Sequence, residues 1–597
     1  MFLRVKIRRK DGKEHRYWSV VENRRVRGGR VVQRQVLYLG ELNDEQQDGW
    51  VRTIEALEEK DPKARRVCHQ LALFPDDRPS PAELACEVAQ VRIKAIALRN
   101  ARQWGACWLA MYLWDLLEFD AFWRARLKPS RKGTDWLNVL KALVAYRLID
   151  PGSEWRFHRQ WFDKSAMADL LGEDFSIAQK DKPYRCLDQL LAHKEALFDH
   201  LRERWGTLFG ARFDVLLFDL TSTYFESDPP PPGSDDKRRF GYSRDHRSDC
   251  VQVCIALVVT PEGLPLAYEV YPGNTHDTAT LREFLARIEK RFGKARRIWL
   301  MDRGIPTEET LAEMRAADTR YLVGTPKGGL SKFEKRLLEQ AWKKARDNVR
   351  VKFLEDQGEF YIYVESHDRV AKERSMRRRR LKRLWATLNE LRTRKRIDRD
   401  GLLMSLGVAK KEAGRAWNLV TIQTPKENEP VNEQTFTFAL DREKLRLAIG
   451  REGRNLLRSN MTAEAPETVW EMYLLLVWIE QVFKELKGDL AVRPIFHQLM
   501  PRVEAHIFVS FLAYCLHTTL RNLARDHAAG LTTRAILDKM ATIEMIDVDL
   551  PITDGKHILL RRFTDPDPDA TLVLEQLKLK LPAQPNPRIT AEKAKEV

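Results

Sequence analysis

The chain has 597 residues, which is too long for a single hydrophobic core and predicts three to four domains. Lysine and arginine exceed aspartate and glutamate by 17, which favours a polyanionic partner, most often nucleic acid, although an anionic membrane surface would attract the same charge. Seven cysteines without CxxC spacing argue against a disulfide framework and a zinc site. The amino terminus lacks a long apolar segment, and the run Ile507–Leu516 is too short to span a bilayer. We therefore expect a cytoplasmic protein in which that run is a buried core helix.

The first forty residues carry the alternation of a small sheet. Apolar and basic positions alternate along 2–40 around two turn signals, Asp11-Gly12 and Gly28-Gly29, which predicts a three-stranded meander within a domain of residues 1–43. Its basic face could lie on the backbone of a duplex or could simply be solvated. The residues concerned are Arg4, Lys6, Arg8, Arg9, Arg24, Arg25, Arg27 and Arg30.

From residue 44 to 208 the apolar period becomes helical. Apolar residues recur three and four apart in AELACEVAQVRIKAIAL (82–98), WLAMYLWDLL (108–117) and DWLNVLKALVAYRLI (135–149), and each segment predicts a helix. Proline-containing breaks near residue 80 and at Pro129 separate them. A helical, basic domain before a catalytic core could read DNA ends, although no recognition-helix motif supports this.

The segment 209–325 predicts a mixed sheet covered by helices. Phe213–Glu226 begins with an apolar run that is typical of a strand buried on both faces, and this run ends at Asp219. Because an unpartnered buried carboxylate is costly, Asp219 either caps the turn that begins at Thr221 or meets a cation at the strand end. The later patterns predict a hairpin of strands Val251–Thr260 and Leu264–Tyr271, a helix Asp277–Arg291, a strand Arg297–Met301 ending at Asp302, a helix Thr307–Ala316 and a strand Arg320–Gly324.

Residues 326–467 interrupt this order and predict an inserted domain. Val349–Val364 and Ala416–Leu440 look strand-like. Between them, Asp368–Leu391 carries leucines at helical spacing beside the run Arg377–Arg380, which predicts an amphipathic helix with a strongly basic face. We favour contact of this face with nucleic-acid phosphates over a merely solvated surface.

The strongest helical pattern is Thr468–Leu490. An apolar stripe would pack on the sheet, and a second stripe about a third of a turn away would carry a phenol, a carboxylate and an ammonium. Glu480 could instead form an ordinary i,i+4 surface pair with Lys484. The apolar stripe is Leu475, Ile479, Val482 and Leu486, and the polar stripe is Tyr473, Glu480 and Lys487.

Three acids mark a candidate metal site. Asp219 and Asp302 end two predicted strands, and Glu480 lies on a helix expected to pack beside them. Carboxylates bind hard cations and leave positions for water and phosphate, so the three could hold two Mg²⁺ ions, with Mn²⁺ as an alternative, for phosphodiester cleavage. The chain has no GxxxxGK[ST] phosphate loop, no HExxH motif and no histidine clustered with a Cys or Ser nucleophile.

Several motifs resemble the DDE transposases of bacterial insertion sequences, in the insertion-sequence 4 group and its 1634 branch. They are FDLTSTYFE (218–226), GYSRDHRSDCVQV (241–253), EVYPGNTHDTATL (269–281), WLMDRGI (299–305) and the helical pattern Y-x6-E-x6-K (473–487). The resemblance covers about residues 108–563 and implies an RNase H-like core in which the third acid follows an insertion domain. The predicted domains are then the helical, DNA-binding 44–208, the core in two parts, 209–325 and 468–563, the insertion 326–467 and a tail, 564–597.

The resemblance also implies roles for single residues. Asp219, Asp302 and Glu480 would be the catalytic, metal-binding triad, and Tyr473 and Lys487 would contact DNA phosphates near the cleaved end. The family signature has an arginine where this chain has Leu476. One phosphate contact is therefore absent or is supplied elsewhere.

Other residues near the predicted site are weaker candidates. Lys484, Arg303 and His276 are candidate DNA contacts. Asp277 could be a further metal ligand or a DNA contact, but we prefer helix capping as the explanation of the His276-Asp277 pair. The segment Arg244–Arg247 could meet DNA or a partner subunit, or could form a surface turn. Asp214 lies five residues from Asp219, hence on the opposite face of the strand, and is not included.

We therefore expect a cytoplasmic bacterial transposase, dependent on Mg²⁺, that binds the terminal inverted repeats of double-stranded DNA. It would free a 3′-hydroxyl at each end and join it to target DNA, and by resemblance it would act as a homodimer, without a membrane partner. Two other classes remain open: a metal-dependent DNA nuclease without strand transfer, and a DNA-binding protein without catalytic activity.

Overall fold

A computed structural model provides the fold, and the chain forms two compact units within it. The first unit comprises residues 1–6, 16–295 and 475–597, and the second comprises 7–15 and 296–474. The structure describes residues 1–10, 13–25, 31–59, 89–131, 133–231, 234–245, 247–275, 277–292, 297–302, 305–325, 336, 340–346, 348–356, 358–394, 397–427, 429–461, 466–553 and 555–590.

The predicted amino-terminal meander is confirmed. Strands β1 (Phe2–Lys10), β2 (Lys13–Arg25) and β3 (Val31–Gly40) lie in that order, and β2 pairs antiparallel with β3. One face is apolar and buried, since Leu37, Leu39 and Val20, the cross-strand partner of Leu37, are at most 3% exposed, as expected for strands with alternating apolar positions.

Two of the three predicted helices before residue 208 are confirmed. They are α2 (Gly105–Leu116) and α4 (Trp136–Ile149). Asp135 caps α4 by accepting a hydrogen bond from the Leu137 backbone N–H at 2.9 Å, which satisfies an otherwise unpaired donor of the first turn. The other helices are α1 (Asp44–Glu59), α3 (Phe119–Arg124), α5 (Glu154–Arg156, continuing into a π turn Phe157–Trp161), α6 (Met167–Leu171), α7 (Lys182–Leu190) and α8 (Lys194–Phe209).

The third helix, predicted for 82–98, is wrong for the residues that the structure describes. Ala97–Gln103 is strand β4, which pairs antiparallel with β16 (Glu544–Pro551). Pairing with a strand more than 400 residues away overrides the local helical period, and tertiary contacts commonly decide such segments. Strands β17 (His557–Phe563) and β18 (Arg588–Thr590) complete a sheet of order β18-β17-β16-β4, and α18 (Pro568–Gln576) lies in the segment predicted as a tail.

Three antiparallel strands of the first unit carry the candidate site. They are β5 (Val215–Phe225), β6 (Val251–Val259) and β7 (Pro265–Pro272), in the order β5-β6-β7, so the predicted hairpin is confirmed. The prediction that the first strand ends at Asp219 is wrong, because residues 220–225 pair with 251–256 of β6 and extend β5 to Phe225. On one face Phe218 packs against Phe284 of α9 (Asp277–Phe292), with ring centroids 5.4 Å apart. Every residue of β6 is buried, as expected for a strand covered on both faces.

Six strands form the sheet of the second unit, in the order β8-β9-β15-β12-β11-β10. β8 and β9 are parallel and are joined through α10, which Thr307 caps by accepting from the Thr310 N–H. The other neighbouring pairs are antiparallel, so the predicted mixed α/β architecture is confirmed. The elements are β8 (Ile298–Met301), α10 (Glu308–Ala316), β9 (Arg320–Thr325), β10 (Lys343–Arg346), β11 (Val349–Asp356), β12 (Glu359–Ser366) and β15 (Arg454–Ser459).

The predicted basic helix is α11 (His367–Thr393). Leu384, Leu388 and Leu391 form its buried stripe and pack in one apolar cluster with residues of α12 (Arg399–Ala413). The strand-like prediction for 416–440 holds in part, because Gly414–Leu419 is a helical turn. The remaining elements are β13 (Val420–Gln423), β14 (Thr437–Leu440) and α13 (Arg442–Gly450).

The single helix predicted for Thr468–Leu490 is wrong in one respect, because the structure has two helices there. α14 (Pro466–Leu474) and α15 (Leu476–Lys487) are separated at Leu475. α14 contacts β9 and β10 of the second unit, whereas α15 contacts β5 and a following helix of the first. The two halves thus serve different cores, which a helical period alone does not reveal.

That following helix is α16 (Met500–His527), which contains the predicted apolar run 507–516. α16 is long and apolar enough to cross a membrane by length and composition alone, but 94% of its most apolar window is buried inside the protein. The prediction of a buried core helix is confirmed, and the helix is longer than the apolar run indicated. A short helix, α17 (Thr533–Met540), follows it.

Candidate functional site

Strand β5 directs Asp219 towards the layer of α15 and α16. Because side chains alternate along a strand, Asp219 lies on the face opposite Phe218, together with Thr221 and Thr223. Both threonines line a small cavity with Lys487 of α15. The Asp219 carboxylate also accepts a hydrogen bond from the Leu220 N–H at 2.7 Å.

Helix α15 presents Glu480 at the edge of its packed face. Ile479 and Val482 are at most 1% exposed and Leu486 is 8% exposed, so this part of the predicted apolar stripe is confirmed. Glu480 itself is exposed. Asp219 and Glu480 therefore lie on two elements of one unit that pack together.

Asp302 lies in the second unit, directly after β8. Its side chain is exposed, and its backbone carbonyl accepts from the Ile305 N–H at 3.4 Å. β8 is buried along its whole length, so Asp302 is an exposed carboxylate at the carboxyl end of a buried strand, as the sequence predicts.

The predicted DNA contacts have different surroundings. Tyr473, at the end of α14, stacks on Trp470 with ring centroids 5.6 Å apart, and Lys484 is exposed on α15. Lys487 is 10% exposed, and its ammonium lies 2.9 Å from Asp245. Burial lowers the pKa of Lys487, and the Asp245 carboxylate opposes that shift. His276 and Arg303 lie outside the described residues.

Sequence reasoning missed two charged residues, Asp245 and Arg493, that form an ion-pair cluster with Lys487. Asp245 belonged to a segment considered only as a surface turn or a DNA or subunit contact, and Arg493, in the segment after α15, was not considered. Arg493 also pairs with Asp245. Asp245 and Lys487 are 242 positions apart, and no local pattern connects positions so distant.

The position of the signature arginine is a packing position in this chain. Leu476 is 8% exposed at the first turn of α15. It therefore contributes apolar contact rather than a cation.

Two protein-family models match the sequence. The model described as transposase DDE domain matches residues 211–516, a range that includes Asp219, Asp302 and Glu480. The chain belongs to the DDE transposase family. The model described as IS1634 family transposase, N-terminal domain, matches residues 3–68, which confirms the 1634 branch.

Other comparisons add less. No curated protein sequence matches this transposase at a significant level. Among solved structures, the piggyBac transposase synaptic complex with hairpin DNA matches with 8% sequence identity and a TM-score of 0.34, over 76% of this chain and 81% of that one.

DDE transposases generally use divalent metals, and a group of potential metal ligands lies in the first unit away from Asp219 and Glu480 in the sequence. Among the described residues, Glu154, His497 and His506 place their ligand atoms within 4.8 Å of one another. The guanidinium of Arg147 lies 3.4 Å from His506 Nδ1 and 3.9 Å from Glu154. A fixed cation in direct contact with two of the three ligands disfavours a metal ion there, so we interpret this group as a buried ion-pair network.

The charge states of this network support the interpretation. Burial by itself would raise the pKa of Glu154, but hydrogen bonds from His497 and His506 hold this pKa well below its usual range. Burial lowers the pKa of His506 to about 4, so His506 is neutral at pH 7. The carboxylate and the guanidinium then balance each other.

Proposed function

We propose that this transposase binds the terminal inverted repeats of its own element in double-stranded DNA, cleaves a phosphodiester at each end and transfers the freed 3′-hydroxyl to target DNA. The observation that carries the proposal is the placement of Asp219. It lies on the face of β5 that packs against α15, the helix of Glu480, and both residues fall within the range matched by the DDE domain.

Asp219, Asp302 and Glu480 form the catalytic triad in this proposal, on an RNase H-like core interrupted by an inserted domain. Three carboxylates are a donor set of hard oxygens, which suits two Mg²⁺ ions or Mn²⁺ in their place and suits soft metals poorly. When bound, such ions polarise the scissile phosphate and lower the pKa of a water or hydroxyl nucleophile.

The chain's own residues supply binding and orientation. Tyr473, Lys484 and Lys487, together with Arg303 and His276, contact phosphates near the cleaved end. The basic face of α11, which includes exposed Arg378, Arg379 and Arg380, neutralises DNA phosphates farther along the duplex. Holding the nucleophile and phosphate in line accounts for much of the rate enhancement. The active form is a cytoplasmic homodimer that pairs two ends.

The test is cleavage of a labelled duplex carrying the element's end, with Mg²⁺ present. Asp219→Asn, Asp302→Asn and Glu480→Gln should each reduce nicking by at least a thousandfold while duplex binding stays within threefold of native. Asp214→Asn is the matched control, because Asp214 is exposed just before the same strand, and it should cut at the native rate.

Strand transfer is scored in the same reactions by joining of the labelled 3′ end to a plasmid. Cleavage without joining would identify a nuclease instead. A native chain that binds but never cuts, or a Glu480→Gln variant that cuts at the native rate, would refute the assigned triad.

A further inference from the structure

One carboxylate oxygen in the first unit serves two cations. Asp245 Oδ1 lies 2.9 Å from Lys487 Nζ and also contacts Arg493 Nη1. The Asp245 side chain is only 9% exposed. Its other oxygen, Oδ2, is buried and has no hydrogen-bond partner among the described residues. Within the described part of the chain, one oxygen of this carboxylate therefore lacks the partner that buried polar atoms usually have.

The fold holds Asp245 in place. The chain before it forms a two-way bridge, in which Arg239 and Gln252 exchange backbone hydrogen bonds of 3.1 and 2.9 Å. The Gln252 amide donates to the Tyr242 and Gly273 carbonyls. A Cβ at Gly273 would come within 1.9 Å of the Gln252 carbonyl oxygen. This close packing presents Asp245 to the two cations from a fixed backbone.

Two cations contact the same oxygen of Asp245. Burial is the main cause that lowers the pKa of Lys487, the charges of Arg493 and Arg244 lower it further, and Asp245 raises it. The Arg493 side chain is 29% exposed, so this side of the cluster is partly open to solvent. A guanidinium and an ammonium converging on one oxygen position match the geometry with which proteins bind phosphate oxygens.

The cluster lies along the strand that carries Asp219. Lys487 lines the same cavity as Thr221 and Thr223. These threonines are two and four residues from Asp219, or roughly 7 and 13 Å along the strand. At about 3.4 Å of helix axis per nucleotide, that distance corresponds to a few nucleotides of DNA.

We propose that Arg493 joins Lys487 in binding a DNA backbone phosphate beside the cleaved position, and that Asp245 occupies this site as an internal anion while DNA is absent. The phosphate displaces Asp245 Oδ1 from the two cations when the DNA end binds. This inference rests on the proposed function, because the phosphate belongs to the DNA end that the transposase cleaves.

The experiment measures binding of a fluorescent duplex carrying the element's end across a series of NaCl concentrations, without divalent metal so that cleavage does not occur. Arg493→Gln should weaken binding about tenfold at low salt and lower the slope of log K against log salt by about 0.9, the value for one phosphate contact. Arg493→Lys keeps the charge and should keep the slope. Asp245→Asn keeps the shape but removes the competing charge, and should strengthen binding several-fold.

Two further variants separate this site from general electrostatics. In the double variant Asp245→Asn with Arg493→Gln, the gain from removing the competing anion should disappear, because the guanidinium that receives the phosphate is gone. Arg502→Gln is the matched control, since Arg502 is 30% exposed and pairs with Asp188. It should leave the slope at the native value.

Melting temperatures measured alongside exclude unfolding as the cause. If Asp245→Asn and Arg493→Gln both weaken binding in proportion to a fall in melting temperature, the cluster is only a structural ion pair. An unchanged slope for Arg493→Gln would likewise overturn the inference. If the variants show the expected salt slopes but the native chain never cuts DNA, the proposed function is contradicted and the phosphate site stands. If the native chain cuts DNA but Arg493→Gln leaves the salt slope unchanged, the phosphate site is contradicted and the proposed function stands.

Discussion

Two buried ionic clusters of the first unit, built from similar groups, differ in charge balance and in exposure to solvent. In the network of Glu154, Arg147, His497 and His506 every side chain is at most 6% exposed, and one carboxylate balances one guanidinium. In the cluster of Asp245, Lys487 and Arg493 one carboxylate faces two cations, and one of these is 29% exposed. The closed network has the character of a structural core, and the open, cation-rich cluster has the character of a binding site.

The comparison predicts the largest stability loss at the closed network. Glu154→Gln leaves the guanidinium of Arg147 buried without a counter-charge, so the free energy of unfolding should fall by about 3–5 kcal/mol. Urea denaturation followed by tryptophan fluorescence measures this. Because Glu154 does not face DNA in our proposal, the salt slope of DNA binding by the folded fraction should stay native. A loss below about 1 kcal/mol would show that the network is solvated.

The closed network should also make the first unit acid-sensitive. The pKa of His506 is about 4 in the folded chain and 6.5 in the unfolded one, so the unfolded chain binds more protons between these values and stability falls as pH decreases. Because the pKa of Glu154 is lowered in the folded chain, protonation of this carboxyl causes a further loss of stability as pH decreases below the ordinary pKa range of a glutamate. Arg147 and His497, which also face His506, favour its neutral form.

The expected decrease from His506 is about 3 kcal/mol between pH 7 and pH 4. His506→Gln should flatten this part of the stability curve measured by urea denaturation at each pH. An equally steep curve in that variant would assign the acid sensitivity to other groups.

The open cluster should contribute less to stability. Asp245→Asn should reduce the free energy of unfolding by about 1–2 kcal/mol, because the exposed part of Arg493 regains water and the amide oxygen still accepts hydrogen bonds. Arg502→Gln, at an exposed pair, should change it by less than about 1 kcal/mol. Should Asp245→Asn cost as much as Glu154→Gln in the same urea titration, the distinction between the clusters would fail.

Local patterns predicted most of the secondary structure around the site. The apolar run before Asp219 predicted β5, and the leucine spacing after residue 380 predicted α11, because burial on one or both faces imposes a period on the residues themselves. The acids Asp219, Asp302 and Glu480 were identified from motifs and from predicted positions at strand ends and on a helix edge, although Asp219 lies inside β5 and not at its end. Their catalytic role remains a proposal that the cleavage experiment tests.

The errors arose where distant segments meet. The helical period of residues 82–98 extends into Ala97–Gln103, which instead pairs with a strand near residue 548, so β4 is a product of tertiary structure. The break at Leu475 occurs because the two halves of one predicted helix pack into different units.

The sequence by itself determined the family, the mixed α/β class and the identity of the candidate acids, because motifs and hydrophobic periods are local properties. Only the tertiary structure decided which charges meet. The sequence identified Lys487 as a candidate phosphate contact on a helix, but not that it lies against Asp245, 242 positions away, where Arg493 joins it. Ion pairs between distant residues form only when folding brings the two segments together. The solvent exposure of the paired side chains then determines whether a ligand can reach them.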